Sequence, residues 1–257
     1  ILLTHGHEDH MGAIQYIWDK LRVPVYGSAF TIALLKRKLK ETGLLNEVPL
    51  KVFTPNESFE IGPFQIKPIR LTHSIPDPCS LTIKTEKGTI FHSGDWKFDP
   101  DPQVGNPTDF KLLKEIGRQG VLALVGDSTN ANVEGRTKSE KHAFDTIKKV
   151  ISNANGRIVI TSFASNVARI RSIILASAEC NKKVVLAGRS LQRVVEAATE
   201  VGYLNDIPDL VSMKDIDKIP HESLVVIAAG SQGEVRSTMT RIAFGKHDLI
   251  RIKPGDT

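Results

Sequence analysis

Three of the eight histidines in this 257-residue chain fall within six residues, in His5-Gly6-His7-Glu8-Asp9-His10. Imidazole nitrogens and carboxylate oxygens interleaved over so short a stretch suit divalent cations of borderline and hard character. A closed structural zinc site draws mainly on cysteine, and neither Cys79 nor Cys180 is near. The pattern suits two divalent ions a few ångströms apart that together activate water for hydrolysis. His5 and His7, two apart at the end of an apolar run, can point the same way, while Asp9 and His10 turn into the element that follows. Two ions need more ligands than these four. His73 stands at the end of a β segment, before the proline-bounded loop Ser74-Ile75-Pro76-Asp77, and Asp95 follows Gly94 at the end of another. A carboxylate in that place can bridge both ions. The candidate metal ligands are therefore His5, His7, Asp9, His10, His73 and Asp95. The plain alternatives are a polar loop for the first cluster, a loop histidine for His73 and a turn residue for Asp95.

These residues need strand ends and turns to hold them. Ile1–Thr4 reads as a short buried strand that breaks at Gly6, and Ile14, Ile17, Trp18 and Leu21 share one face of a helix over about 10–21. A short strand at 23–26 leads to a helix capped by Ser28 and closed by Gly43. From 50 to 92 the pattern becomes short β segments at 51–53, 58–61, 65–71, 80–85 and 89–92, with Lys87-Gly88 as a hairpin turn between the last two. Val121–Val125 reads as a buried strand. Thr137-x-x-Glu140 forms a capping box. Strands at 157–161, 183–187 and 224–228 then alternate with helices opening near Asn166 and at Ser190, the pattern of a parallel α/β sheet. The fold class is α/β in two domains, divided at about residue 128.

With 40% hydrophobic and 25% charged residues, the chain is neither disordered nor collagen-like, and two cysteines build no disulfide scaffold. No apolar run is long enough to span a bilayer and no secretory signal is visible, which makes a cytoplasmic setting the expectation. The net charge of +5 permits a polyanionic partner without requiring one. The run Lys36-Arg37-Lys38-Leu39-Lys40 reads first as the solvated face of a helix. His92, His142, His221 and His247 carry no such pattern, and both cysteines read as buried thiols. The chain opens inside an apolar run and closes on Pro254-Gly255-Asp256-Thr257, so it is expected to be part of a longer protein.

The series His5-x-His7-x-Asp9-His10, His73 and Gly94-Asp95 resembles the ligand set of the metallo-β-lactamase fold. Gly126-Asp127-Ser128-Thr129-Asn130-Ala131 resembles the first motif of its nucleic-acid-processing branch, β-CASP. Thr161-Ser162-Phe163-Ala164-Ser165-Asn166, Gly230-Ser231-Gln232-Gly233-Glu234 and Thr240-Arg241-Ile242-Ala243 are similar to later landmarks. Together they resemble the bacterial ribonuclease J family along essentially the whole chain. Ala168 and Val235 depart from it, standing where many members carry His and Pro. The resemblance implies a partial metallo-β-lactamase αββα sandwich at 1–128 with an inserted β-CASP domain, largely parallel in its sheet, at 129–257.

It further implies one metal on His5, His7 and His73, a second on Asp9, His10 and a histidine beyond Thr257, and Asp95 shared. The ions would be zinc, with manganese as the alternative. The implied reaction is RNA phosphodiester hydrolysis, 5′–3′ exonucleolytic and endonucleolytic, in mRNA decay and rRNA maturation. Asp127 is the candidate proton donor to the leaving oxygen; without the resemblance it is a turn or N-cap aspartate. Ser231, Gln232 and Glu234 are the candidate RNA contacts, or else shape a turn. The implied partner is RNA with a 5′-monophosphate end, and the implied assembly is a dimer or tetramer of the full-length chain. The rival readings are a DNA-processing β-CASP nuclease and a small-molecule metallo-hydrolase, which would have no use for the second domain.

Overall fold

The computed structural model describes residues 1–257, which form two compact units, Ile1–Ser139 and Glu140–Thr257. The sequence reading divides the chain at 128/129. Asp127 stays with the first unit because its amide is bonded to Ser93 Oγ at 2.9 Å.

In the first unit the expected opening strand is reduced to one parallel bridge, Leu2 to Tyr26. The helix read over 10–21 is two pieces, α1 (Glu8–Met11) and α2 (Ile14–Leu21). They part at Gly12, whose amide donates to Glu8 O at 2.7 Å; a Cβ there would lie 2.4 Å from that oxygen. β1 (Val25–Gly27) leads to α3 (Ala29–Glu41), whose N-cap Ser28 accepts from the Thr31 amide. Phe30, Leu35 and Leu39 of α3 are fully buried. From its basic run, Lys38 pairs with Glu8 and Arg37 donates to Ala33 O, in keeping with a helix face. β2 (Leu50–Val52) pairs in parallel with β1.

The meander that follows is β3 (Phe59–Ile61), β4 (Phe64–Arg70), β5 (Cys79–Thr85) and β6 (Gly88–His92), antiparallel throughout. Thr85 pairs with Gly88, so the hairpin loop is Glu86-Lys87, one position before the expected turn. α4 (Phe110–Gln119) then leads to β7 (Ala123–Val125), which lies parallel to β6 at the edge of this five-stranded sheet. The expectation of a buried strand at Val121–Val125 is corrected here: Leu124 is 67% exposed and Val125 50%. An apolar run specifies extended backbone, but its burial depends on what packs against it, and β7 has a strand on one side only.

The second unit contains α5 (Glu140–Asn153), β8 (Ile158–Thr161), α6 (Val167–Glu179), β9 (Lys183–Ala187), α7 (Arg189–Glu200), β10 (Leu224–Ala228) and α8 (Thr238–Ala243). Its sheet has the order β8-β10-β9 and is parallel throughout, and the central strand β10 is completely buried. Asn166 caps α6 as its position implies, accepting from the Arg169 amide. Helix α7 starts from Gly188 rather than from a Ser190 cap. Glu140 receives Nε and Nη2 of Arg169 at 3.1 and 3.2 Å, which ties α5 to α6. The Arg157 guanidinium grips both oxygens of Asp256 beside the start of β8. No helix of either unit is long and apolar enough to cross a membrane.

Ile173 of α6 is fully buried, and deleting its methyl groups leaves a cavity as well as losing transfer free energy. Ile173→Ala is expected to cost about 2–5 kcal/mol in urea denaturation. Replacing Tyr16, 76% exposed, by Ser should stay within about 0.5 kcal/mol of the parent.

Candidate metal centre

Each candidate ligand sits where an element of the first unit begins or ends. His5 and His7 precede α1, while Asp9 and His10 form its first turn. His73 lies just past β4 and Asp95 just past β6. Asp127 lies just past β7, and since His92 pairs with Val125, Asp95 and Asp127 leave neighbouring parallel strands at the same end.

The side chains converge. His5, His7, His73 and Asp95 place one donor atom each within 4.8 Å of one another, and so do Asp9, His10 and Asp95. Asp95 belongs to both groups. Its Oδ2 lies 3.8 Å from His5 Nε2, 3.8 Å from His73 Nε2 and 3.4 Å from His10 Nε2. Around His7 Nδ1, His5 Nε2 approaches to 3.0 Å and His73 Nε2 to 3.2 Å. Asp9 is the most open of the six, its side chain 78% exposed, with Oδ2 3.6 Å from His10 Nε2.

The electrostatics of this donor set fit a divalent cation. Burial, then the neighbouring His10, His7 and His73, lowers His5 to about 2. Burial, then His73, lowers His7 to about 4 against the pull of Asp9 and Asp95. Burial also lowers His73. At neutral pH these three rings are uncharged, with lone pairs directed into one small volume. Imidazoles can ligate a metal only in that form.

Several supports were not legible in the sequence. Thr4 Oγ1 lies 3.1 Å from His5 Nδ1, orienting the ring so that Nε2 faces the cluster. The turn before Asp95 requires Gly94. Its φ is +58°, and a Cβ would come within 3.0 Å of Thr4 Cβ, while its amide donates to His92 Nδ1 at 3.0 Å. Thr72, beside His73, donates to Lys97 O at 2.5 Å and accepts from the Asp99 amide at 3.0 Å, pinning the segment after Asp95. These hydroxyls adjoin the ligands in sequence, but serine and threonine are too common for adjacency alone to single them out.

Asp127 shows a feature that qualifies its role as proton donor. Its Oδ1 accepts from Thr129 Oγ1 at 2.6 Å and from the Thr129 amide at 2.9 Å. These bonds, together with the nearby His73, hold its carboxyl below the usual carboxylate range. It is therefore an anion at neutral pH. Ser231, Gln232 and Glu234 belong to the second unit and to neither donor group. They form an exposed turn after β10, in which Glu234 O accepts from the Ser237 amide at 2.9 Å and from Thr240 Oγ1 at 2.8 Å.

Two measurements check this description. Thr4→Val should weaken divalent-metal binding by about 10–100-fold in isothermal titration, through lost orientation of His5. For His5 and His7 the folded values of about 2 and about 4 lie below the ordinary 6.5, so the unfolded chain binds more protons between them. The metal-free protein should accordingly keep its full stability above about pH 6.5 and lose it progressively as pH falls toward those folded values. The urea midpoint at pH 5 should be lower than at pH 7.5.

Known proteins resemble this chain in both of its units. Residues 1–115 match the model of the beta-lactamase superfamily domain, and residues 155–257 match that of the ribonuclease J beta-CASP domain. Ribonuclease J of Sinorhizobium meliloti is 41% identical over 257 residues, covering 100% of this chain and 46% of that protein. Ribonuclease J of Thermus thermophilus and ribonuclease J2 of Bacillus subtilis are each 38% identical, again over 100% of this chain and 46% of theirs. The chain thus spans about half the length of the curated relatives it matches. A crystal structure of a protein of unknown function from Enterococcus faecalis V583 shares the fold, with a TM-score of 0.62, 16% identity, and coverage of 90% of this chain and 58% of that one. A metallo-β-lactamase fold implies divalent-metal binding, and the donor cluster lies within the matched segment. Domain models thus match two segments of the chain, and ribonuclease J relatives are similar to it from end to end.

Proposed function

We propose that this chain is the catalytic part of a metal-dependent ribonuclease that hydrolyses RNA phosphodiester bonds from a 5′-monophosphate end and internally. The observation that carries the reading is the pair of donor groups sharing Asp95, with Asp127 leaving the adjacent strand. His5, His7, His73 and Asp95 would hold one divalent ion, and Asp9, His10 and Asp95 a second, with zinc the first choice and manganese the alternative. When bound, such ions supply Lewis-acid charge to the phosphate oxygens and bring the pKa of water toward neutrality.

The protein's own groups supply the rest. Thr4 keeps the His5 ring aimed inward, and the Gly94 turn keeps Asp95 between the two groups. Asp127, ionised at rest, takes up a proton from solvent before the chemical step and delivers it to the 3′ oxygen as the P–O3′ bond breaks. Ser231, Gln232 and Glu234 of the second domain are proposed RNA contacts. Roles in mRNA decay and rRNA maturation, a cytoplasmic setting and assembly into a dimer or tetramer belong to the same reading of the full-length protein. The family match to a β-CASP domain weighs against a small-molecule hydrolase, and the ribonuclease J relatives weigh against a DNA nuclease.

The full-length protein supplied with Zn²⁺ or Mn²⁺ should degrade 5′-monophosphorylated single-stranded RNA in preference to duplex DNA; the reverse preference would overturn the assignment. In steady-state assays on that RNA, Asp127→Asn should lower kcat by about 10²–10⁴-fold, the contribution typical of a positioned proton-transfer group.

A further inference from the structure

Ser93 is a buried residue between the turns that carry Asp95 and Asp127, and both of its side-chain hydrogen-bonding directions are used. Its hydroxyl donates to Gly94 O at 2.6 Å and accepts from the Asp127 amide at 2.9 Å. Its own amide donates to Val125 O at 2.8 Å, extending the β6–β7 ladder one step beyond its last pair. The first of these bonds fixes the rotor, so that a lone pair is directed at Asp127.

The two sides of this link differ in stiffness. On the Asp95 side, Gly94 is locked by its positive φ, its amide bond to His92 and its packing against Thr4. On the other side, Gly126 and residues 128–138 are exposed, and Asp127, itself only part-buried, leads into that stretch. Thr129 holds the Asp127 carboxylate but is itself exposed on the same loop, so that bond orients the carboxylate without anchoring it to the sheet. The Ser93 hydroxyl is the side-chain bond that joins the backbone of Asp127 to the rigid turn before Asp95.

We propose that Ser93 is a positioning residue: through one hydroxyl it sets the reach of the Asp127 carboxylate relative to Asp95. This inference rests on the reading of Asp127 as the group that delivers a proton to the leaving oxygen. If that bond is lost, the Asp127 amide must turn to water and the loop is free to shift. Displacing a catalytic group by about 1 Å can cost roughly 10²-fold in rate.

Leaving-group dependence tests this, because an alkoxide needs a proton to depart whereas p-nitrophenolate does not. The full-length, metal-loaded protein and its Ser93→Ala, Ser93→Thr and Asp127→Asn variants would be assayed on 5′-monophosphorylated single-stranded RNA and on bis(p-nitrophenyl) phosphate, with metal content measured for each. Ser93→Ala is expected to lose roughly 10²-fold in kcat on RNA with KM unchanged, to keep near-parental turnover of the ester and to retain its metal. Ser93→Thr, which keeps the hydroxyl, should recover the RNA rate. Equal losses on both substrates, loss of metal, or an undiminished RNA rate in Ser93→Ala would overturn the role of Ser93, provided that Asp127→Asn shows the split. If Asp127→Asn itself affects both substrates equally, the reading of Asp127 is what fails.

Discussion

Three neutral imidazoles, a fourth beside them and two carboxylates are drawn into one small volume at the edge of the first unit, and the rest of that unit is arranged to make this possible. Nitrogen atoms 3.0 and 3.2 Å from His7 Nδ1 leave room for very few protons. Burial and mutual repulsion keep the rings uncharged. Such a cluster is a poor substitute for an apolar core, since a buried polar group without a satisfactory partner raises the free energy of the fold. A divalent cation would offer the inward-facing donors of both groups a common partner. The site is thus a constraint on folding as well as a candidate metal centre.

The architecture meets the constraint by bringing chain ends together. No single element presents more than two of the ligands. Asp9 and His10 come from one helical turn, His5 and His7 from the segment before it, His73 from the end of β4 and Asp95 from the end of β6. Strand pairing fixes where β4 and β6 end relative to each other, through the registers Ile66–Ile83 and Ile83–Ile90. Small hydroxyl residues then adjust each ligand locally: Thr4 for His5, Thr72 for the segment after Asp95, Ser93 for the link to Asp127. The sheet supplies ångström-scale placement, and these hydroxyls supply orientation.

The second unit follows a different logic. Its three parallel strands bury β10 completely, and its helices pack by apolar faces with ion pairs such as Glu140–Arg169 between them. It contributes no residue to either donor group. Its exposed turn at Ser231–Glu234 is held through Glu234 O, which accepts from the Ser237 amide and from Thr240 Oγ1.

The six-residue histidine and aspartate cluster was legible from residue type and spacing alone, because metal affinity is a property of donor atoms and their density. The alternation of apolar strands and helices after residue 140 was equally legible, since a parallel sheet covered by helices needs continuous apolar strands. Tertiary structure decided what depends on partners distant in sequence. Val121–Val125 has the composition of a buried strand, yet β7 is exposed because a sheet edge is defined by which neighbours are present. The helix read over 10–21 parts at Gly12, where the backbone passes so close to Glu8 O that no side chain fits, which periodicity does not register. Asp127 reads as a proton donor from its motif, but two hydrogen bonds from Thr129 hold its carboxyl below the usual carboxylate range. The sequence by itself named the chemical groups of this protein. Their mutual distances, protonation states and supporting hydroxyls came only from the fold, because each depends on atoms that the chain brings together from segments tens of residues apart.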